Sequence, residues 1–271
     1  MQIEDLQAIQ DETEQIQALY RIYDEDSRLS CSQAAQVEFL TNTYYIEQYL
    51  QPGMRILDVG AGTGAYSLYF AKKGYAVWAV ELSERNFTIF SQKCSPQDGI
   101  CLTQGNALDL SQYADAFFDI VLVFGPLYHL HCEQDRLRCI AEAKRVCKPG
   151  GKIFFAFITN DMVFLTELNA RPDYFTKGAY NRQNFTLTNF PFVFHTLQAS
   201  RALLQKAGIS VIRQVASDGA SELLAEKINA MPAEEYAQYL RYHFYICEKP
   251  EFLGMTNHLL LIGSAADRAD D

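Results

Sequence analysis

No stretch of this sequence is apolar over the roughly 20 residues that a membrane helix needs, so a membrane partner is not expected. Clustered cations are also missing: 23 Lys and Arg stand against 33 Asp and Glu, for a formal net charge of −10. Phosphate backbones are bound by grouped Lys and Arg, so nucleic acid is not the expected partner either. The seven cysteines (Cys31, Cys94, Cys101, Cys132, Cys139, Cys147, Cys247) are odd in number and hold no Cys-x-x-Cys pair. That usage belongs to reduced thiols and not to a disulfide framework. The first residues are acidic and glutamine-rich, with neither the basic segment nor the apolar core of a secretory signal, so a cytoplasmic location is expected. The Asn-x-Thr triplets at Asn86 and Asn184 then carry no meaning for glycosylation. Internal repeats and a second glycine loop are absent. Core material is plentiful: 49% hydrophobic residues in 271 suit one large α/β domain.

The chain is organised around Met54 to Glu81. Met54, Ile56, Leu57 and Val59 read as a buried strand that stops at Gly60-Ala61-Gly62-Thr63-Gly64. Glycine there adopts angles that a Cβ forbids and lets a ligand lie against bare main chain. Ala65 to Lys73 reads as a helix closed by Gly74, and Ala76 to Val80 as a second strand ending on Glu81. A carboxylate roughly 20 residues past such glycines can accept from both ribose hydroxyls of a nucleoside. Gly60-x-Gly62-x-x-Ala65 also fits a relaxed dinucleotide fingerprint. Asp58 argues against that reading, because a carboxylate repels a pyrophosphate and attracts an ammonium or a sulfonium.

Further strands are expected at Ile100 to Gln104, at Phe118 to Phe124 (the most apolar, hence the sheet centre), and at Lys152 to Phe157 after a tight Lys148-Pro149-Gly150-Gly151 turn. Helices are expected from Ser83 to about Cys94, over Glu133 to Val146 and over Thr196 to Ala207. A strand from Ile209 to Val215 follows, then two helices within Ser217 to Leu253, an antiparallel final strand at His258 to Ile262 and a polar tail over 265–271. Right-handed crossovers make this one doubly wound, mostly parallel, seven-stranded Rossmann-like sheet with its ligand crevice at the strands' carboxyl ends.

With Asp58, the glycine loop, Glu81 and the Lys148-Pro149-Gly150-Gly151 turn, the sequence resembles the class I S-adenosylmethionine-dependent methyltransferases from about Leu50 to Gly263. The resemblance implies S-adenosylmethionine as cofactor. It would be held by Asp58, Gly60, Ala61, Gly62, Gly64, Glu81, Leu82 and Phe124, with Asn106 or Asp109 and Ala107 at the adenine. It also implies an N-terminal helical lid over residues 1–50, from which Tyr20, Tyr23 and Arg28 are candidates to touch the methionine end; surface packing is the alternative for them. The cofactor core would comprise 51–157 and 196–264. The aromatic-rich stretch 158–195, before the sixth strand, would be a substrate-side insertion, or else a hairpin or dimer contact packed on its own rings. The oligomeric state stays open, a homodimer included.

Gly125-Pro126 stands where nucleobase amino-methylating relatives carry an Asn or Asp followed by Pro-Pro-aromatic, and no Pro-Cys nucleophile is present. The expected acceptor is therefore a small molecule methylated at O, N or S. His129 is the candidate base, since a histidine there would titrate near neutrality, and Tyr128 the candidate to position the acceptor or face the sulfonium. Packing is the alternative for both. No metal is expected, since His129-Leu130-His131-Cys132 has no further ligand cluster behind it. Two readings from other classes remain: a cofactor-binding regulatory or assembly protein without turnover, and a nicotinamide dehydrogenase, which Asp58 and Gly125-Pro126 disfavour.

Overall fold

The structure, a computed structural model, describes residues 3–265, so all but the first residue of the expected polar tail lies outside the described residues. Side-chain caps start the first two α-helices. After a short 3-10 turn at Ile3–Ala8, Asp11 accepts from the Glu14 amide at 2.8 Å and opens α1 (Glu12–Ile22), and Ser32 caps α2 (Gln33–Glu47) through the Ala35 amide at 3.2 Å. The apolar run becomes β1 (Arg55–Val59), followed by α3 (Ala65–Lys72), β2 (Ala76–Glu81), α4 (Glu84–Lys93) and β3 (Ile100–Gln104). Next come β4 (Phe118–Val123), a four-residue α5 (Pro126–His129), α6 (Glu133–Val146) and β5 (Cys147–Thr159). The aromatic stretch forms α7 (Asn160–Ala170), α8 (Tyr174–Lys177), a small hairpin of β6 (Tyr180–Asn181) and β7 (Thr186–Leu187), and β8 (Phe194–His195). The chain closes with α9 (Leu197–Lys206), β9 (Ile209–Ala216), α10 (Ala225–Asn229), α11 (Ala233–Ile246) and β10 (His258–Ala265).

The main sheet runs β3-β2-β1-β4-β5-β10-β9, with β8 paired to the end of β5. All neighbours from β3 to β5 are parallel, and β10 is antiparallel to both β5 and β9. The expected doubly wound, seven-stranded sheet is therefore present, with β4 at its centre. The last strand in sequence lies inside the sheet, between β5 and β9. β5 begins earlier than expected, because Lys148-Pro149-Gly150-Gly151 is carried into the strand by a register shift opposite Phe118 and Ile120. One face of the sheet packs on α6 and α9 through Ile140, Val146, Leu203 and Leu204. The other packs on α2 and α3 through Tyr45, Ile46, Tyr66 and Phe70.

The three glycines after β1 do different work. Gly60 donates to the Val80 carbonyl at 2.9 Å, and a Cβ on it would lie 2.7 Å from the Pro126 ring. Gly64 (φ +89°) would drive a Cβ to 2.3 Å from the Phe90 ring of α4. This corrects the sequence reading: Gly64 is required by helix packing and backbone angle and does not border the ligand crevice. We therefore expect Gly64→Ala to cost about 1–3 kcal/mol or more, seen as a lower unfolding midpoint. In a Phe90→Ala background only the backbone strain should remain; an equal cost in both backgrounds would contradict the packing account.

Candidate active site

The carboxyl ends of β1, β2 and β4 open into one crevice, covered by α1 and by the loop between α1 and α2. It holds about 1150 Å³ of empty space, its open mouth included. Of the residues expected at the site, Tyr20, Arg28, Asp58, Gly60, Ala61, Gly62, Glu81, Leu82, Asn106, Ala107, Phe124, Tyr128 and His129 line this crevice.

Two buried carboxylates define its floor. Asp58 is 1% exposed; its Oδ2 accepts the Ser67 hydroxyl at 2.6 Å, while Oδ1 is buried with no hydrogen-bond partner. Burial pushes its pKa up to about 6, against the opposing bonds from Ser67. Glu81 accepts the Gly62 amide on Oε2 and the Ser83 amide on Oε1, both at 2.7 Å. Burial again dominates and lifts it to about 7, opposed by those two amides and reinforced by Glu25 and Asp58. Each Glu81 oxygen keeps a second lone pair for a further donor.

Where the adenine is expected, Asn106 holds its own turn by accepting the Leu108 amide at 2.9 Å. Asp109 stays out of the crevice: its Oδ1 accepts the Ser111 amide at 3.0 Å, and the Ser111 hydroxyl, with that amide, holds its carboxyl below the usual range. Of the two polar candidates, only Asn106 borders the crevice.

Gly125 (φ +136°) lets the chain leave β4 and turn at once into α5, which aims His129 inward. His129 Nε2 lies 2.8 Å from the Tyr20 hydroxyl, and Nδ1 is buried without a partner. Burial drives the His129 pKa down to about 3. The expected base titrating near neutrality is thus corrected: this imidazole is neutral throughout the physiological range, because α1 and Phe192, its ring 5.3 Å away, exclude water from it. Tyr20 and Tyr128 are both raised above the ordinary tyrosine value by the same burial.

The cover is fastened to the cofactor-side elements. Gln17 donates to the Leu82 carbonyl at 2.7 Å and accepts the Glu84 amide at 3.0 Å; Arg85 donates to the Arg21 carbonyl at 2.5 Å, and Asp26 pairs with Lys93. Glu25 sits over Gly62, its Cγ 3.3 Å from where a Cβ on that glycine would be. Tyr23 packs against Phe192 at 6.5 Å. In the aromatic stretch Phe164, Tyr174, Phe175, Tyr180 and Phe185 pack on one another, and no residue of 158–195 lines the crevice directly.

The sequence reading passed over Glu25, although it lies in the stretch that supplied Tyr20 and Arg28. It also passed over Tyr66, whose ring meets Phe124 at 4.9 Å, and over Glu38, Asp218 and His258, whose polar atoms converge within 4.8 Å behind Arg28. The first two had only an unpaired acid and an aromatic as signals, and the third group had none, since its members are far apart in sequence.

The family described as "Methyltransferase domain" matches residues 57–155. YqeM of Bacillus subtilis is 31% identical over 113 residues, 42% of this chain and 46% of that protein. The ubiquinone biosynthesis O-methyltransferase of Coxiella burnetii is 31% identical over 118 residues, 43% of this chain and 49% of that one. The chain thus matches under half the length of these relatives. In fold it is similar to the magnesium protoporphyrin IX methyltransferase of Synechocystis with bound S-adenosylhomocysteine, at TM-score 0.57 and 13% identity over 94% of this chain and 100% of that one. Residues 57–155 thus match a methyltransferase domain, and the chain as a whole shares the fold of a solved methyltransferase.

Proposed function

We propose that the chain transfers a methyl group from S-adenosylmethionine to an O, N or S atom of a small-molecule acceptor. The observation that carries this reading is Asp58 Oδ1, a buried carboxylate oxygen without a partner at the crevice floor. An ionised oxygen in that state calls for a cationic donor, and the ammonium of the methionine moiety is one. The bare main chain at Gly60 and Gly62, with Ala61, Leu82 and Phe124 beside it, suits the ribose and methionine; Glu81 would accept from the ribose hydroxyls, and Asn106 and Ala107 would meet the adenine. Residues 1–50 act as the lid, with Arg28 turned to the methionine carboxylate. Residues 158–195 act on the acceptor side through Phe192, which backs Tyr23, Tyr128 and His129.

Bound S-adenosylmethionine supplies an already activated methyl group, so the chain's task is to hold and orient the reactants and to exclude water. The cover and Phe192 keep water out. Tyr128 positions the acceptor, and Tyr20 fixes the His129 tautomer so that Nδ1 meets the acceptor's heteroatom. As a neutral group of very low basicity, His129 orients the acceptor through a hydrogen bond. An acid-rich crevice and a net charge of −10 favour a small-molecule acceptor over nucleic acid.

Incubation with methyl-labelled S-adenosylmethionine and a panel of hydroxylated, amino and thiol acceptors tests the activity: label should appear in one acceptor class together with S-adenosylhomocysteine, and cofactor binding without transfer to any class would favour the non-catalytic reading. His129→Ala should lower turnover about 10- to 100-fold with cofactor affinity kept. The pH profile of wild-type turnover should lack a histidine inflection between about 5 and 8; such an inflection, lost in the variant, would restore the base assignment.

The raised carboxylates give a second prediction. Asp58 and Glu81 gain protons as pH falls through about 7 and then about 6, so cofactor affinity should weaken over that fall. In the empty chain the sign is opposite: a carboxyl whose folded pKa is raised favours folding in acid and loses that contribution as pH rises through its folded value. Asp58→Asn should therefore leave the unfolding midpoint at neutral pH unchanged or higher, while weakening S-adenosylmethionine binding by about 10-fold or more. A lower midpoint with affinity intact would contradict both roles.

A further inference from the structure

We propose that Glu38, Asp218 and His258 form a buried ionic relay that positions Arg28 in the crevice, so that an imidazole behind the crevice lining sets how tightly the lid grips the cofactor. The inference rests on reading the crevice as the cofactor site. Arg28 belongs to the loop between α1 and α2 and lines the crevice. Its Nε donates to Glu25 Oε1 at 3.1 Å, its Nη1 to Glu38 Oε2 at 2.7 Å, and its Nη2 reaches Glu38 Oε1 at 3.5 Å. The remaining guanidinium N–H groups have no partner among the described residues and are free for a carboxylate of the bound cofactor.

Glu38 is the hinge of the arrangement. It sits in α2 at 6% exposure, and the Oε2 that takes Arg28 also faces His258 Nδ1 at 3.4 Å. His258 opens β10, and its Nδ1 is 2.8 Å from Asp218 Oδ2. Asp218, just beyond β9 and 4% exposed, is fixed in turn by the Thr256 hydroxyl and by the His258 amide at 3.1 Å. Two carboxylates buried this close repel each other, and the His258 imidazolium stands between them, 3.4 Å from Glu38 and 2.8 Å from Asp218. If it is lost, the two carboxylates face each other unscreened, Glu38 is pushed away from Asp218, and that movement releases Arg28.

The surrounding charges agree with this. Burial pulls the His258 pKa down, but Glu38 and Asp218 outweigh it and lift it to about 9, with Arg28 opposing. Glu222 also faces His258, and on the α11 side His243 and Tyr239 face Asp218. His243 is lowered to about 4 by burial, so the cation of the cluster is His258.

The test is calorimetric titration of the full chain with S-adenosylhomocysteine, comparing wild type, Arg28→Met, His258→Gln, Asp218→Asn and the Arg28→Met/His258→Gln double variant, each with its unfolding midpoint. We expect His258→Gln and Asp218→Asn to weaken binding about tenfold, and His258→Gln to add nothing once Arg28 is gone. Wild-type affinity should fall as pH rises through about 9, and the His258→Gln profile should be flat there. A purely structural cluster would lower the midpoints and leave affinity and its pH profile unmoved, which would overturn the relay; so would full additivity in the double variant. Affinity that depends on added Zn²⁺ and is lost with EDTA would overturn it too, because a metal would then bridge the carboxylates. Absence of S-adenosylhomocysteine binding by wild type would instead remove the cofactor reading on which the relay stands.

Discussion

Two carboxylates buried at the ends of adjacent parallel strands are the constraint on which the rest of the structure depends. Asp58 in β1 and Glu81 at the end of β2 are both almost wholly removed from water, and among the described residues no cation lies against either. Leaving them ionised there is costly, and their raised pKa values measure that cost. Nearby features reduce it only in part: the Ser67 hydroxyl, the Gly62 amide that the glycine turn exposes, and the Ser83 amide at the start of α4. What remains is a negative pocket shaped by bare backbone, which a cationic nucleoside cofactor would complete.

That pocket exists because of sheet order. Parallel pairing of β2, β1 and β4 brings three strand ends to one edge, and the antiparallel β10, wedged between β5 and β9, brings His258 to the same side. The N-terminal helices close over this edge. Beside the apolar packing of α1 and α2, polar contacts fasten them at two places: Gln17, Arg85 and Lys93 on the α4 side, and Arg28 with Glu38 on the β10 side.

The sequence made the strand–turn–helix–strand unit from Met54 to Glu81 readable because three local signals coincide there: an apolar run, glycines at a strand end, and an acid at ribose distance. The centrality of β4 was readable for a similar reason, since only a strand buried on both faces is apolar at nearly every position. Properties that depend on three-dimensional surroundings were not. Gly64 looked like its neighbours until the Phe90 ring was found against it. The basicity of His129 is set by the cover and by Phe192, which arrive from opposite ends of the chain. Glu38, Asp218 and His258 come from three separate segments with no shared motif. In the stretch 158–195 the aromatics follow neither helical nor strand periodicity, because most of them pack on one another.

The most direct test of the central claim is calorimetric titration of the purified chain with S-adenosylmethionine and, in parallel, with NADH. The account predicts saturable one-to-one binding of S-adenosylmethionine and none of NADH, because Asp58 at the end of β1 attracts an ammonium and repels a pyrophosphate. Binding of NADH with no binding of S-adenosylmethionine would contradict it, and the unpartnered oxygen of Asp58 would then need a different ligand.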